Sequence, residues 1–193
     1  MGHTTTHTIL LYKYYSTAYA GSLTLIYSPA DWDRITLTEK GTFTSYADEG
    51  SSPDHTSKDG FGNVVSLTNH FYFNKKKTLY LALGIEHAKD WTQGVNYRKN
   101  AFVPSTQLHF PLISKWEGDL SFKFKDADYP KYGFPSTTPG RRDEQYTFGT
   151  SIQRQFASHW VLKGSYSYSH TDSRDDNFTY TNQTLGFNLS FSY

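Results

Sequence analysis

The closing stretch Leu185-Gly186-Phe187-Asn188-Leu189-Ser190-Phe191-Ser192-Tyr193 alternates large apolar with small polar residues without a break. A β-strand turns successive side chains to opposite faces. Leu185, Phe187, Leu189, Phe191 and Tyr193 therefore form one face, and Gly186, Asn188, Ser190 and Ser192 the other. A helix would scatter both sets around its axis, so this pattern predicts a strand with one apolar face.

The same period recurs upstream. Leu79, Leu81, Leu83 and Ile85 oppose Tyr80, Ala82, Gly84 and Glu86. Leu120, Phe122 and Phe124 oppose Asp119, Ser121, Lys123 and Lys125, and Trp160, Leu162, Tyr166 and Tyr168 oppose Lys163, Ser165, Ser167 and Ser169. Strands are expected over 4–14, 18–28, 33–47, 61–73, 78–90, 98–112, 116–130, 141–156, 160–172 and 178–193. The first two could be one long strand. A tight turn near Ser16-Thr17 is the favoured reading, because bacterial single-chain barrels have an even strand number. Short connections at 28–31, 74–77, 113–115 and 157–159 alternate with longer polar ones at about 48–60, 90–98, 130–141 and 173–177. Short turns at one rim and long loops at the other are the habit of outer-membrane barrels.

Composition agrees. The 193 residues suffice for one domain, 1–193, and the net charge of +1 gives nucleic acid no basic field. Cysteine is absent, which excludes disulfides, thiolate metal sites and a Cys nucleophile. No run reaches the roughly 18 apolar residues of a membrane helix, and no signal-peptide core is present. Yet 18% of residues are aromatic while only 36% are hydrophobic. A soluble core is normally built from Leu, Ile and Val. A membrane barrel places its apolar surface outside and its polar surface inside, so its mean hydropathy stays low. The expected fold is all-β, a single transmembrane antiparallel up-and-down β-barrel of about ten strands in a bacterial outer membrane.

Trp32, Trp116 and Trp160 each follow a short turn, where the wet edge of a lipid bilayer favours a half-polar ring. Trp91, with Tyr46, Tyr129 and Tyr168, would form the girdle at the other rim, and Tyr193 adds to the interface set.

The C-terminal residues 184–193 resemble the closing strand of bacterial outer-membrane proteins, which alternates apolar residues and ends on an aromatic one. That resemblance implies that the strand is read by the outer-membrane insertion machinery. Gly140-Arg141-Arg142-Asp143-Glu144-Gln145-Tyr146, His159-Trp160, Tyr166-Ser167-Tyr168 and Phe178-Thr179-Tyr180 are similar to the C-terminal barrels of exopolysaccharide-export and surface-lipoprotein-assembly proteins. In those families the barrel follows periplasmic helical repeats, which this chain does not carry. Met1-Gly2-His3 reads as a cloning scar.

By parity the inward set includes Thr68, His70, Glu86, Gln107, His109, Glu117, Asp119, Lys123, Lys125, Gln153, Gln155 and Lys163. These residues line either a narrow aqueous path or a lumen plugged by ion pairs formed across it. The expected function is a narrow pore or porin-like transport channel, passing a small solute or polymer. The alternative is a non-enzymatic surface-interaction barrel with a plugged lumen, binding through loops 48–60 and 130–141. A third reading is a hydrolase using Glu86, Asp119 and His109 or His70 as an acid–base set. No cofactor and no metal is expected. His3 and His7 would lie about 13 Å apart on a strand, too far to share an ion, and belong to an unstructured flank. Glu39, Asn69 and Arg154 fall on the nominal lipid face, so they sit near a rim or a bulge reverses the local parity. The Asn177 and Asn182 glycosylation triplets are chance matches, and Lys75-Lys76-Lys77 is a solvated turn or a contact for anionic head groups.

Overall fold

Wherever the sequence alternates with period two, the computed structural model forms strand. The elements are β1 (Gly2–Leu10), β2 (Lys13–Ala30), β3 (Asp33–Tyr46), β4 (Gly60–Tyr72), β5 (Tyr80–Thr92), β6 (Lys99–Pro111), β7 (Trp116–Tyr129), β8 (Arg141–Phe156), β9 (Trp160–Ser173) and β10 (Tyr180–Phe191). A 3-10 turn, Asp176–Phe178, precedes β10. The structure describes residues 2–10, 13–46, 58–94, 97–113, 115–132, 140–156 and 159–191. Met1, Ser114, Ala157, Ser158 and Tyr193, and the loop stretches 47–57 and 133–139, lie outside the described residues.

All strands lie in one sheet in chain order, each antiparallel to the next. Among the described residues no ladder joins β10 back to β1. From β3 onward the strand ends agree with the sequence expectation to within about two residues. The first hairpin differs. Ser16 and Thr17 lie inside β2, opposite Thr8 and His7 on one side and Tyr46 and Ser45 on the other. Ser16 favours turns only weakly, and Thr17 is β-branched and suits a strand. His3 and His7 are not an unstructured flank either: they pair with Gly21 and Thr17, because β2 extends far enough to offer them partners.

Directly paired residues share a face, so the ladders assign the described side chains to one face or the other. Leu25, Leu37, Leu67 and Ile85 form one such row, and all four are exposed. Leu185 and Phe187, at 69% and 78% accessible, show the same inversion of ordinary soluble packing. The buried set instead belongs almost wholly to the polar face: Ala101, Val103 and Ala127 cluster there, packed by Ala88 and Tyr129, alongside buried His109, Arg141, Thr171 and Ser173. A single cavity is lined both by Thr42 of β3 and by Arg141 of β8, so the sheet curls with its polar face inward.

The apolar face is bounded along each strand. On β7 it runs from Trp116 to Phe124 and gives way to Asp126 and Asp128; on β8 it runs from Phe156 to Tyr146 and gives way to Glu144 and Arg142. Trp32 stacks with Phe71 at 6.5 Å and Trp160 lies 4.9 Å from Phe191, both at the short-turn end. Trp91 stacks on Phe61 at 5.9 Å near the opposite end, with Lys89 Nζ 4.9 Å above it. Tyr129 does not join this girdle. Its parity is that of Glu117 and Asp119, no bulge interrupts β7 against β8, and its ring packs under Arg141 at 4.0 Å on the polar face. No bulge displaces Glu39, Asn69 or Arg154 from the apolar face. Arg154 sits near the end of β8 with its guanidinium 5.3 Å above the Trp116 ring, while Glu39 is mid-strand and accepts from Asn63 Nδ2 at 3.1 Å.

Candidate pore lining

Register places Thr68 and the eleven other predicted lining residues, from His70 to Lys163, on the one polar face. Five of them meet. Near the short-turn end a single row of paired residues runs Tyr72, Tyr80, His109, Asp119, Ser151 and Ser165 across β4 to β9. Opposed Cβ atoms in antiparallel pairs are about 4.5–5.5 Å apart, which brings their functional groups into contact. Tyr80 stacks on His109 with centroids 4.8 Å apart, and His109 Nδ1 is 2.8 Å from Asp119 Oδ1. An ionised carboxylate only accepts, so the imidazole carries its proton on Nδ1. Gln107 Nε2 donates to the same oxygen at 3.0 Å, and the Ser151 hydroxyl donates to Oδ2 at 2.8 Å. One row further out, Gln153 Nε2 donates to Glu117 Oε2 at 2.6 Å, and His109 Nε2 lies 3.9 Å from that oxygen.

His70 joins this row from the side, 5.5 Å from Tyr80 and 6.2 Å from Tyr72. Arg34, which pairs with His70, stands 5.7 Å above Tyr72. Lys163 lines a cavity of about 330 Å³ beside Gln107 and Asp119. Apart from Thr68, the remaining four candidates lie elsewhere on the face. Glu86 faces Val103, Lys123 faces Ser105 and Thr147, Lys125 faces Gln145, and Gln155 faces Val161.

Of the acid–base set, the geometry brings His109 and Asp119 together and leaves Glu86 apart. Val103, opposite Glu86, is about 20 Å along β6 from His109 at 3.3 Å per residue, so Glu86 is remote from the His109–Asp119 pair. Ser151 donates to the carboxylate, whereas a serine nucleophile needs its proton taken by a base such as imidazole.

A second row, at the long-loop end, was not picked out by parity. Thr42 faces Gly62, Gly62 faces Asp90, Asp90 faces Lys99, and Tyr129 faces Arg141. Lys99 Nζ is 2.9 Å from Asp90. Arg141 is buried under Tyr129, Tyr132 at 4.8 Å and Phe178 at 3.8 Å, with Asp143 Oδ1 3.1 Å from Nε. Burial, and next the Asp175 carboxylate, push the Tyr132 phenol above its ordinary pKa. Lys99, Tyr129 and Arg141 open or close their strands, where only the alternation continued into the strand end marks them as inward.

Across both rows the polar contacts run along the wall. His109, Gln107 and Asp119 lie on β6 and β7, Ser151 and Gln153 on β8, and Lys99 and Asp90 on β6 and β5. Gln145 on β8 meets Thr171 on β9, and Ser173 meets Asp143. Each of these hydrogen-bonded or ion-paired contacts joins neighbouring strands. Comparison with protein-family models, with curated proteins and with solved structures gives no match to the chain.

Proposed function

We propose that this chain is a bacterial outer-membrane β-barrel, closed into ten strands by pairing of β10 with β1, whose polar lumen passes small hydrophilic solutes. The observation carrying the proposal is the wall-parallel pairing of the inner charges. A lumen plugged by its own side chains would pair charges across the hollow, from β3 or β4 to β7 or β8. Here Asp119, Glu117, Asp90 and Asp143 are satisfied by partners on their own or adjacent strands.

The exterior supports the membrane placement. From Trp116 to Phe124 the chain advances about 26 Å, or roughly 20 Å of height at a 40° tilt, against an apolar band of about 25 Å. Closure follows from the same environment, since unpaired strand edges in hydrocarbon would leave backbone groups without partners. The alternating β10, by its resemblance to outer-membrane closing strands, would engage the insertion machinery.

Single-channel recording after refolding into a planar bilayer tests the reading. A steady conductance that scales with salt is the expected result. Stable insertion, marked by slower gel mobility after boiling, with no current above bare membrane would overturn the open lumen and favour the plugged barrel.

A further inference from the structure

We infer that the inner wall across β7, β8 and β9 holds a binding site for a small zwitterion of the α-amino-acid class, an inference that rests on the polar face being the solute path. The cavity there has a volume of about 330 Å³, at the lower end of the roughly 300–1,000 Å³ typical of small-molecule sites. Ser121, Ser151, Ser165 and Ser167 line it, and none of these side chains reaches beyond one hydroxyl. Two longer residues of opposite charge line it as well, Asp119 on β7 and Lys163 on β9.

Register keeps the two charges apart. Lys163 pairs with Gln153 on β8 and Asn188 on β10, and its neighbours on the same face of β9 are Val161 and Ser165. All four are uncharged, so no acid lies directly beside the ammonium on the wall. Glu117 shares its row but stands two strands away and accepts from Gln153 Nε2 at 2.6 Å. Asp119 is also two strands away, about 10 Å at roughly 4.7–4.9 Å per strand, and its row meets β9 two residues further along, at Ser165. The four-carbon stem of Lys163 narrows that gap without closing it: among the described residues no ion pair joins the two. The carboxylate keeps one place open. Oδ1 accepts from His109 and Gln107, Oδ2 accepts from Ser151 alone, and a carboxylate offers about four lone-pair sites. A simple anion drawn to Lys163 meets the field of Asp119, and a simple cation drawn to Asp119 meets that of Lys163. A zwitterion answers both, its carboxylate at the ammonium of Lys163 and its own ammonium at Oδ2. The serine hydroxyls between them can donate or accept.

Calorimetric titration of the folded protein in detergent micelles, with glycine, acetate and methylammonium, reads this site whether or not the lumen conducts. Glycine should bind at least tenfold more tightly than either ion. Lys163→Gln should weaken glycine severalfold while keeping the unboiled gel mobility, and the same change at the turn residue Lys75 should leave the affinity unaltered. Because Asp119 also holds three donors of the wall, its side of the site is read through the ligand instead of a variant. Trimethylglycine, a zwitterion with no N–H to offer Oδ2, should bind severalfold more weakly than glycine. Equal affinity for glycine and either acetate or trimethylglycine, or no saturable heat from glycine with folded protein, overturns the site. Binding without bilayer current keeps the site and sinks the pore; current without binding does the reverse.

Discussion

Glu39 lies midway along β3 on the apolar face, opposite Leu23 of β2 and Val65 of β4, and accepts from Asn63 at 3.1 Å. If that face meets lipid, a carboxylate there costs something below the roughly 2–4 kcal/mol assigned to a midplane Arg. Glu39→Leu should therefore raise stability in lipid vesicles by about 1 kcal/mol, read from urea unfolding, provided Asn63 is changed to Leu as well so that its amide is not stranded. A loss of stability in the double variant would mean that this face is not lipid-exposed. Asp119 supports the opposite expectation on the inner wall. Its carboxylate accepts from Gln107, His109 and Ser151, so Asp119→Ala strands three donors and should cost about 2 kcal/mol or more. Ser151→Ala removes one donor of a carboxylate that keeps two others, and should cost about 1 kcal/mol or less. Equal costs in chemical denaturation would contradict the hub assignment.

At the scale of the strand, β6 carries Pro104 in its interior, where proline removes a ladder donor. The consequence is visible on one side only. Pro104 still faces Ile85 of β5, but the ladder to β7 passes from Phe102–Asp126 directly to Ser105–Lys123. Pro104→Val should restore a backbone bond to β7 and stabilise the fold by about 1 kcal/mol, with slower amide exchange across β6 and β7. Unchanged exchange would show that the gap has another cause. This strand also marks how far sequence carries the reading. Period-two alternation is local, so the strands from β3 onward and the inward set from His70 to Lys163 were legible residue by residue. Register is not local: that Tyr80, His109, Asp119 and Ser151 fall on one row depends on how far each strand slides against the next. The same holds for the row from Thr42 to Arg141. Its members lie toward the strand ends, where parity is easily abandoned to the loop. The junction of β1 with β2 was misplaced because residues 10–13, Leu-Leu-Tyr-Lys, include no turn-forming residue type.

For the whole molecule, the disposition of tryptophan makes the membrane reading testable without any assumption about transport. Trp32, Trp116 and Trp160 stand at the short-turn end of the apolar face, and Trp91 stands at the other, so a spanning protein must place them at opposite interfaces. A protein adsorbed on one leaflet would instead present them all to the same side. Two variants separate these cases: Trp91→Phe, which retains the short-turn set, and a triple Trp→Phe change at 32, 116 and 160, which retains Trp91. In unilamellar vesicles loaded by insertion from outside, external iodide should quench one variant and spare the other, while lipids brominated near the head group should quench both. The apolar residues between the two sets, such as Leu120 at 50% exposure and Phe148 at 54%, would then lie in the hydrocarbon that shields the spared set. Quenching of both variants by external iodide to the same extent would place both ends of the strands on one side. The apolar face would then be a surface for lipid contact or self-association rather than the outside of a membrane-spanning barrel.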